Sequence, residues 1–168
     1  MRTLRTSVLV FSVLMTGACA GLPVPVPTGG TSTGTTTTGS VATDIVKYTN
    51  DARTRNGLPP LSASSKLMQA ASIHAKQMAQ YQRDAHTISG AQYPTLASRL
   101  QAVGYDYSSA AENIAWNQRD AQSAVNGWMN SSGHRANILN PKLKEIGAAM
   151  ARSAKGEPYW IQVFASPL

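Results

Sequence analysis

A single cysteine, Cys19, is present in 168 residues, so no disulfide can join two parts of this chain. Any folded domain is held by its core and its hydrogen bonds alone. There is no apolar run long enough to cross a bilayer as a helix, which takes about 20 residues. Basic clusters are absent too. Lys and Arg outnumber Asp and Glu by 15 to 8, for a formal net charge of +7, but they are scattered singly. That spacing excludes a nucleic-acid footprint and suits proximity to anionic lipid or wall polymers. The Gly-x-Ser-x-Gly elbow of a serine hydrolase is also missing.

What is present begins with an export signal. Arg2 and Arg5 form a basic start, residues 7–15 an apolar centre, and Thr16-Gly17-Ala18 a small-residue cleavage site. Cys19 follows directly and resembles the cysteine of a bacterial lipobox, with Thr16 in place of the usual leucine. The expectation is a signal segment over 1–18, then an acylated Cys19 as mature N-terminus and membrane partner. Cleavage would lower the formal charge from +7 to +5. Ala20 after Cys19 points to the outer membrane where a cell has two. Residues 19–40, rich in Pro and then in Thr and Gly, read as a linker with an r.m.s. reach of about 25 Å. One domain is expected over 41–168.

From Val41 the pattern is helical, with Ile45, Tyr48 and Ala52 on one stripe, Thr43 placed as a cap and Gly57 as the stop. Pro59-Pro60 separates it from a second helix over about residues 64–81, where Leu67, Ala71, Ala75 and Met78 recur at helical spacing. His74 falls beside that stripe and reads as a structural or flanking residue. His86 lies past the helix in Arg83-Asp84-Ala85-His86-Thr87; taken alone it reads as a solvated loop histidine. A third helix, over about 95–103, carries Leu96, Leu100 and Val103 and stops at Gly104-Tyr105. Glu112 then sits inside the otherwise apolar run from Ala111 to Trp116. An unpaired buried carboxylate is costly, so Glu112 meets a cation or hydrogen-bond donors, or faces a wet cavity. A structural pairing with an arginine satisfies the same demand.

Residues 124–141 open as an amphipathic helix carrying Val125 and Trp128, with Asp120 as its cap. The pattern predicts a break at Ser131-Ser132-Gly133, with Gly133 freeing a turn that aims His134 away from the helix axis. Residues 145–150 and 159–164 read as strands around the hairpin signal Ala154-Lys155-Gly156-Glu157. The fold class is α+β, an α-β-α sandwich with about four helices around a small antiparallel sheet.

Several phrases in this order resemble the bacterial branch of the CAP superfamily, also called the SCP domain, over about residues 41–164. They are Asn50-x-x-Arg53 with Gly57-Leu58 and Leu61, then His86-Thr87, Arg99 with Gly104-Tyr105, and Glu112-Asn113-Ile114-Ala115. Trp128 with Gly133-His134-Arg135 and the last strand, Tyr159 to Phe164, complete the series. The resemblance implies a central cavity of two histidines and two acids, carried over as His86, Glu112 and His134. The second acid falls near Ser131, which is not acidic. The implied site is a weak one for zinc or another divalent cation on His86 and His134, with Glu112 assisting and water positions open. The same groups make an acid–base set with histidine pKa near 6.5. A triad of Ser131, His134 and Glu112 lacks the elbow, and a serine beside a glycine break commonly just ends a helix. The family fold does not fix an activity. The leading expectation is therefore a lipid-anchored envelope binding module, leaning away from an enzyme, for an apolar ligand, a lipid or a protein partner. The alternatives are a metal-dependent hydrolase, protease or esterase, and a purely structural envelope protein.

Overall fold

The computed structural model describes residues 38–168, with side chains from Val41 onward. The expected signal segment, Cys19 and most of the linker lie outside the described residues. The chain forms α1 (Thr38–Arg55), β1 (Ser62–Ala63), α2 (Ser65–Tyr81), α3 (Leu96–Ala102) and β2 (Tyr107–Trp116). It continues through α4 (Ala121–Asn130), α5 (Ser132–Ile138), β3 (Glu145–Arg152) and β4 (Pro158–Pro167).

The helix starts follow the chemistry of their caps. Thr95 accepts from the Ser98 N–H and Ser98 reciprocates at the Thr95 N–H, a capping box that opens α3. Asp120 accepts from the Ser123 N–H at 2.7 Å to open α4. Thr43, expected as a cap, instead lies inside α1, which starts at Thr38. Two further expectations are corrected. The described residues form five helices, because a single extended residue, Ser131, divides α4 from α5, and Gly133 and His134 lie within α5 rather than in a turn. The sheet is mixed rather than antiparallel, because β1, a two-residue strand, pairs in parallel with β3.

The strand order is β1-β3-β4-β2, with β3–β4 and β4–β2 antiparallel. Strand side chains alternate between faces, and here the two faces feed separate cores. Tyr159, Ile161, Val163 and Ala165 of β4 pack with Leu67, Ala71 and Met78 of α2 and Leu100 of α3. Trp160 and Phe164 pack on the other face with Ile45 of α1, Trp128 of α4 and Ile138 of α5. The expected three layers are therefore present, with helices on both faces of the sheet.

Two polar clamps tie the second face together. Arg53, 1% exposed, donates from Nη1 to the carbonyls of Ile138 and Asn140 and from Nε to that of Pro59. The Trp128 indole donates to the Ile114 carbonyl at 2.8 Å, pinning α4 against β2. On the first face α2 lies almost in contact with β3. A Cβ on Gly147 would sit 2.0 Å from the carbonyl carbon of Leu67, so only glycine allows this approach.

Candidate functional site

Glu112 occupies the α2-facing side of β2, four residues from the strand's end, and its neighbours come from three separate segments. Nη2 of Arg99, on α3, donates to both carboxylate oxygens at 3.0 and 3.2 Å. Nδ1 of His86 lies 2.9 Å from Oε1. Since an ionised carboxylate only accepts, His86 carries its proton on Nδ1, which leaves the Nε2 lone pair of the neutral ring outward. Nε2 of His74, on α2, stands 3.9 Å from the same Oε1, too far for a hydrogen bond. The cation that the sequence demanded for Glu112 is thus Arg99, with His86 as a second partner.

The loop that presents His86 is fixed by its own anchors. Gln82 takes a left-handed conformation at the end of α2, Ile88 is fully buried, and the Ile88 N–H donates to the Pro94 carbonyl. Arg99 completes the support by donating to the carbonyls of Tyr93, Pro94 and His86. One buried guanidinium therefore holds both the carboxylate and the backbone of the histidine that meets it.

His134 stands in the first turn of α5, half-buried. The Asn113 amide donates to its carbonyl, and Asn137 donates to the Asn113 side chain at 2.9 Å, which fastens α5 to the edge of β2. Its ring titrates below the usual histidine value through burial and through the positive charge of His86, with Asp84 opposing. Asp84 faces both histidines electrostatically; burial raises its carboxyl while His86 and His134 pull it down. The structure thus brings His86 and Glu112 into contact and sets His134 within electrostatic range of His86. Among the described residues no hydrogen bond joins the Ser131 hydroxyl to His134 or Glu112; Ser131 is the extended residue between α4 and α5. Sequence reasoning passed over Asp84, whose signal was its place two residues before His86. It also left His74 outside the charge cluster that this residue borders.

The protonation states follow from these contacts. Burial pushes the Glu112 carboxyl up, but the His86 hydrogen bond and the Arg99 charge outweigh it and hold it below the usual range. His86 is raised by its hydrogen bond to Glu112. Burial depresses His74 to about 4. Neither His74 nitrogen has a hydrogen-bond partner within normal geometry among the described residues.

A pH dependence follows. In the unfolded chain His74 protonates near 6.5, while in the folded chain it stays neutral down to about 4. The unfolded state therefore binds more protons as pH falls through that window, and folding loses about 3 kcal/mol between pH 6.5 and 4. Urea unfolding of the wild type should show this loss, and His74→Gln should remove most of its slope, with His134 supplying the remainder in the same sense. Glu112, depressed, adds stability above its unfolded value that is lost only in stronger acid. His86, raised, adds stability below about 6.5 that is lost as pH rises further. An equal slope in His74→Gln would refute the assignment.

The model of the cysteine-rich secretory protein family matches residues 46–164. The chain is similar to the Bacillus subtilis protein YkwD, 35% identical over 123 residues, which cover 71% of this chain and 45% of that one. It is also similar to the crystal structure of an extracellular SCP-domain protein from Bacillus anthracis, at 30% identity and TM-score 0.68, covering 76% of this chain and 41% of that one. An outer surface protein of Borrelia burgdorferi shares the fold at 18% identity and TM-score 0.67, over 74% of this chain and 90% of that one. The chain spans less than half the length of both Bacillus relatives.

Proposed function

This chain belongs to the cysteine-rich secretory protein (CAP) family, and from that premise we propose that it is a lipid-anchored envelope binding module rather than an enzyme. The observation that carries the reading is the engagement of Glu112. Arg99 donates to both of its oxygens and His86 to one, and the carboxyl is held ionised. A general acid needs a proton at working pH, and a general base needs a free lone pair facing its substrate. Glu112 has no proton to give, Arg99 and His86 occupy three of its about four lone-pair sites, and its side chain is only 5% exposed. Ser131, where the resemblance puts a second acid, contributes no carboxylate.

Imidazole chemistry remains accessible. His86 is 56% exposed at its side chain and presents Nε2, while His134 is half-buried beside it. Under this proposal the outward Nε2 of His86 and the ring of His134 would hold a divalent cation weakly, with Glu112 orienting His86 from behind. They do not fit a closed structural zinc site, since among the described residues no three His, Cys, Asp or Glu side chains converge as a ligand set. A bound zinc would supply Lewis acidity and open positions for an oxygen-bearing group of an envelope lipid or protein. The export signal and Cys19 support acylation, residues 20–40 support a spacer, and the extracellular Bacillus anthracis relative supports an envelope location.

Calorimetric zinc titration of the full chain in detergent tests this reading beside a His86→Ala, His134→Ala double variant. Two protein ligands should give one site with Kd between about 1 µM and 1 mM, lost in the variant. Peptide and ester substrates should remain intact. Chelator-sensitive turnover that disappears in the same variant would overturn the proposal in favour of a metal-dependent hydrolase.

A further inference from the structure

Three strands of the sheet end at one level. Trp116, the last residue of β2, pairs with Tyr159, which pairs in turn with Ala151 of β3. Arg152 stands one rung further, opposite Pro158, so it lies within about 3 Å of Trp116 along the strand direction. Lys155 sits in the turn beyond. Trp116 shares the α2-facing side with Tyr159, whereas Arg152, an odd number of residues from Gly147, projects on the α1-facing side. They form no common groove, but a flat surface laid across this end of the sheet meets both.

The first helix begins at the same end. Thr49 is held by Gln162 in mid-strand, and Asn50 bonds both backbone groups of Leu61, next to the pairing of Ser62 with Glu145 at the start of β3. Arg53 continues in that direction to the Pro59 carbonyl. From Thr49 back to Thr38 the helix covers about 16 Å, against about 13 Å of strand from Gln162 to Pro158. Residues 20–37, between Cys19 and α1, therefore join the domain at the end that carries Trp116, Arg152 and Lys155.

The chemistry of this end suits an interface. Trp116 is 44% exposed, while Trp128 and Trp160 are buried. Arg152 and Lys155 are exposed, and among the described residues no carboxylate pairs with either. The acids here are Asp44, Asp120, which pairs with Arg119, and Glu157, which accepts from the Ser153 hydroxyl. The charge is therefore nearly balanced, which offers little to a soluble polyanion. An indole level with separate cations matches the headgroup layer of a bilayer, where amphipathic rings settle and phosphates meet Lys and Arg.

We infer that this end of the domain rests on a phospholipid bilayer, with Trp116 in the headgroup layer and Arg152 and Lys155 against lipid phosphates. The inference rests on the proposed anchoring through Cys19. A tether reaching about 25 Å holds the surface at an effective concentration on the order of millimolar, so contacts too weak for a free protein suffice. Glu112 shares the face of Trp116 four residues earlier on β2, about 13 Å by strand rise. Docking thus sets the histidine site just above the headgroups, open to ligands presented at the bilayer.

Cys19 is the one cysteine, so the full chain with a free thiol can be coupled there to a maleimide-bearing lipid, whatever modification the cell makes. The vesicles are phosphatidylcholine with about 30% phosphatidylglycerol, to supply anionic charge. Acrylamide reports on exposed tryptophan, which here is Trp116. On coupling, acrylamide quenching of the wild type should fall about threefold, and quenching by doxyl-labelled lipid should appear. Each cation near an anionic surface contributes about fivefold, so Arg152→Gln with Lys155→Gln should return acrylamide quenching most of the way to the uncoupled value. Lys66→Gln with Lys142→Gln removes two cations from the opposite end of the sheet and should leave the wild-type result intact. All variants should unfold as the wild type does. The inference is overturned if the coupled wild type keeps Trp116 open to acrylamide, or if the two double variants behave alike. Mass spectrometry of Cys19 in the native protein tests the anchor separately, since the maleimide coupling decides the docking either way.

Discussion

Replacing Arg99 with methionine should cost about 3–5 kcal/mol of folding stability, the range seen when one partner of a buried ion pair is removed. The side chain is fully buried, so water cannot take over its role. Its loss strands the Glu112 carboxylate and frees the carbonyls of Tyr93, Pro94 and His86 that it had been serving. The variant should also release the loop bearing His86, so that the histidine signal in NMR spectra broadens or moves toward its solvent value. Adding Glu112→Gln should recover part of the stability, because the stranded charge is then gone. Urea unfolding at neutral pH measures both effects. A loss below 1 kcal/mol would mean that Arg99 and Glu112 are hydrated separately.

Gly147→Ala should be comparably severe, at about 3 kcal/mol or more, the upper end of overpacking costs. The new Cβ would lie 2.0 and 2.3 Å from the Leu67 carbonyl carbon and oxygen and 2.3 Å from the Met68 nitrogen. All three are backbone atoms of α2, which cannot rotate aside as a side-chain tip can. Relief requires the helix to lift off β3, opening the core around Leu67 and Ala71. Gly127→Ala is the control. Its Cβ would meet nothing closer than the Gln118 side chain at 3.9 Å, and helix propensity should make it stabilising by about 0.5–1 kcal/mol. Thermal unfolding that ranks the two variants the other way would show that α2 does not rest on β3 as described.

The fold's larger parts could be read in the sequence because they announce themselves locally. The stripe of α2, the Asp120 cap and the β3–β4 hairpin depend on residues close together in the chain. The missed pieces are those that distant contacts create. β1 is two exposed residues with no pattern of their own, held because the Ser62 N–H reaches the Lys144 carbonyl and the Ser64 N–H that of Ile146. α5 opens Ser-Gly-His, a poor helix former, and its end is stabilised by Arg53 from the first helix. The site divides in the same way. Glu112 was conspicuous as a charge in an apolar run, but nothing in the sequence selects Arg99 from the other arginines as its partner. Asp84 and His74 look like ordinary loop and helix residues until the fold sets them beside the histidines and Glu112.

Arg53 also sets an order of events during synthesis. Its acceptors, Ile138 and Asn140, follow it by 85 and 87 residues, and the Thr49 hydroxyl that receives the Gln162 amide waits for a partner 113 residues later. At about 5–20 residues per second, the first helix emerges roughly 5–20 s before the segments that complete its packing. Through that interval its guanidinium remains hydrated, and the domain stays an open chain until almost its last strand is made.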